Sequence, residues 1–263
     1  RYRRLRLDGR AGAYMSFSDA QLERYARHII LKEIGGEGQR KLASARVVVI
    51  GAGGIGSPVI QYLAAAGVGT LVLIDDDVVS LSNLQRQTIY RTADDGQPKA
   101  ATAARAATAI NDDVAVIAHQ VRIDADNVDA LLAGADVVVD GCDNFGTRLI
   151  VADAALRARI PLVSSAVDQF EGQLAVYRGW EADKPCYRCF VGNDPARPEM
   201  SCADRGVLGP LTGVLGSLAA LEAIRVLTGF GDDPAGRLLI VDALAFRFRT
   251  LMLPKDPGCG CAG

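Results

Sequence analysis

Val47-Val48-Val49-Ile50-Gly51-Ala52-Gly53-Gly54-Ile55-Gly56 runs from an apolar stretch straight into a glycine-rich turn, and Asp75 closes the next apolar run, Thr70 to Asp75. A turn of this kind between a strand and a helix aims backbone N–H groups and a helix N-terminus at phosphate, and an acid about 20 residues on can bond a ribose hydroxyl. Downstream lies the polar block Ser82-Asn83-Leu84-Gln85-Arg86-Gln87, then Lys99. Hydride transfer needs no cations aimed past the first phosphate, so Arg86 and Lys99 argue for a triphosphate such as ATP.

Alternating patterns extend outward from this unit. The strand 46–50, the helix 57–66 and the strand 70–75 form a βαβ unit. Pro98 suits the start of a helix over 99–110, which places Lys99 in its first turn. Strands are expected at 114–118, 135–140 and 161–165, with helices at 18–32, 127–132 and 144–157. The expected fold is α/β, Rossmann-like, with a mostly parallel central sheet and flanking helices. The run 172–177 alternates apolar and polar residues and reads as a half-exposed antiparallel strand. A long apolar helix over 212–227 and strands at 237–241 and 246–253 continue the antiparallel part.

Of 263 residues, 49% are hydrophobic and 23% charged, and the net charge is −2. No basic field exists to hold nucleic acid or an anionic membrane. The uncharged stretch 206–221 is shorter than the roughly 20 residues of a bilayer span and is broken by glycine and proline, so it reads as a buried helix and its approach. Residues 1–17 are rich in arginine and lack the apolar core of a secretory signal. They are expected to be a disordered extension ahead of one domain over 18–263, and a cytoplasmic location follows by default.

Asp140-Gly141-Cys142-Asp143-Asn144 follows a buried strand, which puts Asp143 at the carboxyl edge of the sheet, where ligands of open α/β folds collect. One carboxylate there suits Mg²⁺ held mainly by phosphates and water. The competing role is a helix N-cap, which Asp143 or Asn144 could fill. Six cysteines without a signal peptide argue for free thiols: Cys186 and Cys189 form C-x-x-C, Cys259 and Cys261 form C-x-C, and Cys142 and Cys202 stand alone. Two pairs suggest one metal site. With only His28 and His119, histidine chemistry is disfavoured.

The motifs RYARHIIL, GAGGIGS, SLSNLQRQT, GQPKA, DGCDN, EGQ, PCYRC and an SC followed by GV and GP run from about Ser18 to Cys261. On them the chain resembles the bacterial ubiquitin-activating-like adenylyltransferases of the molybdopterin-synthase and thiamine-pathway type. The resemblance implies ATP-dependent adenylation of the C-terminal Gly-Gly carboxylate of a small ubiquitin-like sulfur-carrier protein. It implies that Gly51, Gly53, Gly54, Gly56 and Asp75 hold the nucleotide, and that Asn83, Arg86, Gln87 and Lys99 sit at the phosphates. Asp143, beside Asn144, would bind Mg²⁺, and Arg27 would reach the site from the other subunit of a homodimer. A solvated helix face is the plainer role for Arg27. Cys202 corresponds to a cysteine that can link covalently to the carrier, though a buried inert thiol fits it as well; Cys142 suits core packing. Cys186, Cys189, Cys259 and Cys261 correspond to a zinc site, although relatives end in C-x-x-C. A redox C-x-x-C is the rival there. The nucleotide-binding half is expected over about 40–168, and the carrier-binding and zinc half over 169–263. The sulfur donor would be a separate protein. The glycine turn alone would also permit an NAD-dependent oxidoreductase or an inactive nucleotide-binding scaffold.

Overall fold

A computed structural model describes residues 17–192 and 206–262, and every structural statement below concerns these residues. The chain threads α1 (Asp19–Ile29), α2 (Gly35–Ser44), β1 (Arg46–Ile50), α3 (Gly56–Ala65), β2 (Thr70–Ile74), α4 (Lys99–Ile110), β3 (Ala115–His119), α5 (Val128–Leu132), β4 (Val137–Asp140), α6 (Phe145–Ala158), β5 (Leu162–Asp168), β6 (Glu171–Tyr177), α7 (Tyr187–Val191), α8 (Gly209–Thr228), β7 (Arg237–Asp242) and β8 (Arg247–Met252). The strands make one eight-stranded sheet in the order β3-β2-β1-β4-β5-β6-β7-β8. Pairing is parallel from β3 to β5 and antiparallel from β5 to β8.

The β-branched runs explain the central strands, because both sides of a sheet covered by helices must be apolar. Val47, Val49, Leu71, Leu73, Val137 and Val139 point into a core shared with α2, α3, α4 and α8. Val48, Ile50, Val72, Ile74 and Val138 point into the opposite core, under α5, α6 and α7. Helix α8 is long and apolar enough to cross a membrane by length and composition, yet it packs on β5, β6 and α3.

The half-exposed strand expected at 172–177 is corrected. β6 lies inside the sheet, with Leu174 and Val176 in one core and Ala175 and Tyr177 in the other. Its polar residues sit at the end that opens on the cavity described below, which is why the alternation misled. Helix α2 was not anticipated. It starts with three glycines among four residues, which propensity disfavours, and it is held by packing on α8 and α1. Of the segment expected to be a disordered extension, only Phe17 falls within the described residues, and its ring meets Tyr25 edge-on at 6.2 Å.

Strands β3 and β8 are the sheet edges. Every residue of β8 is exposed, and Phe246, Phe248 and Met252 stand in solvent.

Candidate active site

A cavity of about 460 Å³ opens at the carboxyl ends of the parallel strands, where β1 and β4 send their connections to opposite faces of the sheet. This reversal of winding direction leaves a crevice in any open α/β sheet. The starts of α3, α4 and α6 converge there: Gly53, Gly54 and Ile55 approach α3, Lys99 opens α4, and Phe145 opens α6. Each brings the partial positive charge of a helix N-terminus, an arrangement that suits an anion.

The glycine turn is shaped by what surrounds it. Gly51 has φ +83°, and a side chain there would press on the Cys142 backbone at 3.3 Å. A methyl group on Gly56 would collide with the Gly51 carbonyl oxygen. Gly51, Gly53 and Gly54 line the cavity, whereas Gly56 is not among the lining residues and serves to close the turn. Asp75 stands at the end of β2 and accepts hydrogen bonds from the Ala52 N–H at 2.7 Å and the Asp77 N–H at 2.9 Å. Burial pushes its carboxyl above the usual aspartate range, against the opposing pull of Lys99. The acid therefore fixes the turn as well as facing the cavity.

Lys99 is 5% exposed, and its Nζ lies 2.8 Å from Asp77 Oδ2 in the cavity wall. Tyr90 steadies both it and the turn, donating its hydroxyl to the carbonyls of Ala52 at 2.8 Å and Lys99 at 3.3 Å. Arg86 lines the cavity and donates to the Ser82 carbonyl at 3.3 Å. Gln87 also lines it; the side chain is buried, and its Oε1 has no hydrogen-bond partner. Such a buried acceptor normally finds a donor, so a ligand is the natural source of one. Asn83 does not line the cavity; its amide donates to Ser82 Oγ at 3.5 Å.

The competition for the N-cap of α6 is resolved by Asn144, whose side chain accepts from the Thr147 N–H at 2.8 Å. Asp143 is left exposed in the cavity wall, with its carboxylate available. Asp75, Asp77 and Asp143 thus share one cavity with Arg86 and Lys99. A donor set of carboxylates beside an anion-binding turn fits a hard divalent cation carried in with phosphate.

Sequence reading missed Asp77, Tyr90, Arg122, Asp140 and Arg148. Arg122 lines the cavity from the loop after β3. Asp140 and Arg148 form a buried ion pair, 3.3 Å between Oδ2 and Nη1. Burial opposes the arginine's charge, but Asp140 beside it holds the guanidinium more firmly protonated than usual. Cys142 packs against the second core, and burial together with Asp140 pushes its thiol well above the ordinary range, which suits the packing role.

Arg27 is exposed on α1 and does not line the cavity of its own chain. Cys202 lies outside the described residues, as do its neighbours Asp204 and Arg205. The other four cysteines are brought together. The Sγ atoms of Cys186 and Cys189 are 3.8 Å apart, those of Cys186 and Cys259 3.5 Å, and those of Cys189 and Cys261 3.5 Å. All four sulfurs lie within 4.8 Å of one another and can hold a metal ion. A tetrahedron of zinc–sulfur bonds of about 2.3 Å has edges of about 3.8 Å, so the set fits zinc. The shortened C-x-C end does not prevent this, because the turn at 260–262 brings Cys261 round to Cys189.

A parallel nucleotide-type sheet carried on by antiparallel strands, with a phosphate-ready crevice and a four-cysteine cluster, defines a nucleotide-binding class of α/β protein. The profile of the ThiF family matches residues 25–261, and the chain belongs to that family. It is 47% identical over 253 residues to the SAMP-activating enzyme E1 of Haloferax volcanii, covering 95% of this chain and 92% of that one. It is 46% identical to the sulfur carrier protein adenylyltransferase of Thermus thermophilus, over 95% of this chain and 93% of the other. With the molybdopterin-synthase adenylyltransferase of Escherichia coli it shares 42% identity, over 94% and 98% of the two chains. The fold is that of Escherichia coli MccB, matched at TM-score 0.79 and 24% identity over 91% of this chain and 72% of that one.

Proposed function

We propose that the protein adenylates the C-terminal Gly-Gly carboxylate of a small ubiquitin-like sulfur-carrier protein. The carboxylate attacks the α-phosphorus of ATP, an acyl–phosphate bond forms, and pyrophosphate leaves. The observation that carries this reading is the sharing of one crevice by the glycine turn, Lys99, Arg86 and Asp143. The names of the relatives, all carrier-activating or adenylating enzymes, point the same way.

The central difficulty is that two anions must meet. Lys99 and Arg86 both line the crevice, held by Asp77 and the Ser82 carbonyl, so that charge developing on the leaving pyrophosphate is met by cations already in place. Asp75 orients the ribose while its second oxygen keeps the turn shut. The N-termini of α3 and α6 supply N–H groups and hold no proton that the reaction needs. Mg²⁺, with Asp143 as its protein ligand, would add charge neutralisation on the triphosphate when bound. Arg27 enters from the partner subunit of a homodimer in this reading, in the manner of an arginine finger. Zinc in the four-cysteine cluster has a structural part, and carriers of the molybdopterin or thiamine type are the substrates we favour.

The test is exchange of labelled pyrophosphate into ATP on adding a Gly-Gly carrier. Exchange is expected with the intact protein and is reduced by at least about 100-fold in Lys99→Ala, the usual scale for removing a preorganised charge partner of the transition state. A tight NADH complex with no exchange would replace this reading with that of an oxidoreductase.

A further inference from the structure

The backbone of one residue in the cavity wall, Cys142, is gripped from both sides by buried charge. Asp140, the last residue of β4, is fully buried, and Arg148, in the first turn of α6, is 6% exposed. Asp140 Oδ1 accepts the Cys142 N–H at 3.0 Å, and Arg148 Nη2 donates to the Cys142 carbonyl oxygen. The remaining N–H groups of Nη1 and Nη2 go to Ser164 Oγ at 2.8 Å and to the Ser165 carbonyl at 3.1 Å. Although Arg148 reaches the cavity wall, its terminal nitrogens are committed to the protein, and it is not placed to bind phosphate itself.

On the other side of Asp143, Asn144 is fixed as the cap of α6, and the Arg148 N–H returns to the Asn144 carbonyl at 3.1 Å. Asp143 therefore lies between two immobilised residues while its own side chain stays free. Stability alone does not account for the ion pair, because a buried pair gains little over apolar residues of the same volume once desolvation is counted. What the pair does achieve is to set where the Asp143 backbone stands relative to the glycine turn.

We propose that Asp140 and Arg148 are positioning residues that fix the Asp143 carboxylate for the divalent cation accompanying the nucleotide; this rests on the reading of Asp143 as the protein's ligand to that cation. Magnesium tolerates little error in ligand placement. Residues that orient a metal ligand from behind commonly change metal affinity by about 10- to 100-fold.

The experiment is a double-mutant cycle on the full chain. Its readout is the gain in ATP affinity brought by Mg²⁺, from calorimetric titration with and without the metal. Arg148→Lys keeps a cation beside Asp140 but loses the second nitrogen that grips Cys142. It is expected to cut the Mg²⁺-dependent gain by about 10-fold or more while the metal-free affinity for ATP holds. Asp143→Ala cuts the gain as well, and adding Arg148→Lys to Asp143→Ala removes nothing further, as two residues acting through one ligand require. Additive losses, an equal fall in metal-free affinity, or a full gain in Arg148→Lys would each overturn the positioning role and leave the reading of Asp143 standing. An undiminished gain in Asp143→Ala would instead overturn that reading and the proposal with it. Should Arg148→Lys not fold, Asp140→Asn carries the same cycle, since it keeps an acceptor for the Cys142 N–H and removes the charge that holds the guanidinium.

Discussion

Asp75 carries two duties on one carboxylate, holding the Ala52 N–H and standing in the nucleotide crevice. Its folded-state pKa is raised, chiefly by burial. A raised value means that the contribution to stability is present in acid and is lost as pH rises through the folded pKa, so the ionised form at neutral pH is a cost kept for function. Nucleotide binding needs the ionised form and has the opposite dependence. ATP affinity, followed by calorimetry as pH is lowered, should begin to fall above the ordinary aspartate range, and Asp75→Asn should flatten that limb. A limb unchanged in the variant would assign the titration to another group. Single residues with a stereotyped setting were the most legible part of the sequence: the glycines, Asp75, Lys99 and Asp143 all carry motif-level signals. Asp77, Tyr90 and Arg148 do not, because each acts through a partner that only the fold brings near. Tyr90 bonds the Ala52 carbonyl from 38 residues away.

Elements were legible where local preference and tertiary demand agree. β1 and α4 have the bounds expected of them, since the run of valines admits little else and Pro98 fixes the start of the Ala-rich helix. β6 was read with the wrong exposure because its alternation reflects a polar end over the cavity rather than a wet face. α2 escaped notice because glycines in a helix are tolerated only when packing supports them, and Gly38 fits closely between Ile34 and Thr228. The turn into α3 can be tested as an element. Gly56→Ala forces a methyl group onto the Gly51 carbonyl, and relief requires α3 to move away from β1. The expected outcome is a loss of about 1–3 kcal/mol in chemical unfolding, the usual range for an overfilled interior, together with weakened ATP binding in titration. Wild-type stability and affinity in that variant would mean that the turn is more pliant than its contacts indicate.

At the scale of the molecule, the parallel part of the sheet followed from alternating strands and helices, and the antiparallel continuation from the change of pattern, whereas the strand order came only with the fold. The cysteine set was legible as two spaced pairs and through the family resemblance, but not from local pattern alone, because Cys186 and Cys259 stand 73 residues apart. A metal there ties α7 to the tail beyond β8. Removing it with a strong chelator should lower the melting temperature by about 5 °C or more, and Cys261→Ser should reproduce most of that shift, as expected when a bound ion stabilises only the folded state. An unchanged melting curve for protein shown to contain the metal would make the cluster a passenger. There is a corollary for biosynthesis. Two of the four thiols follow every strand of the sheet in the sequence, so a nascent chain cannot complete the cluster until synthesis has passed Cys261, and a product clipped ahead of Cys259 never can. Metal content per chain would thus report on whether the polypeptide is unbroken through Cys261.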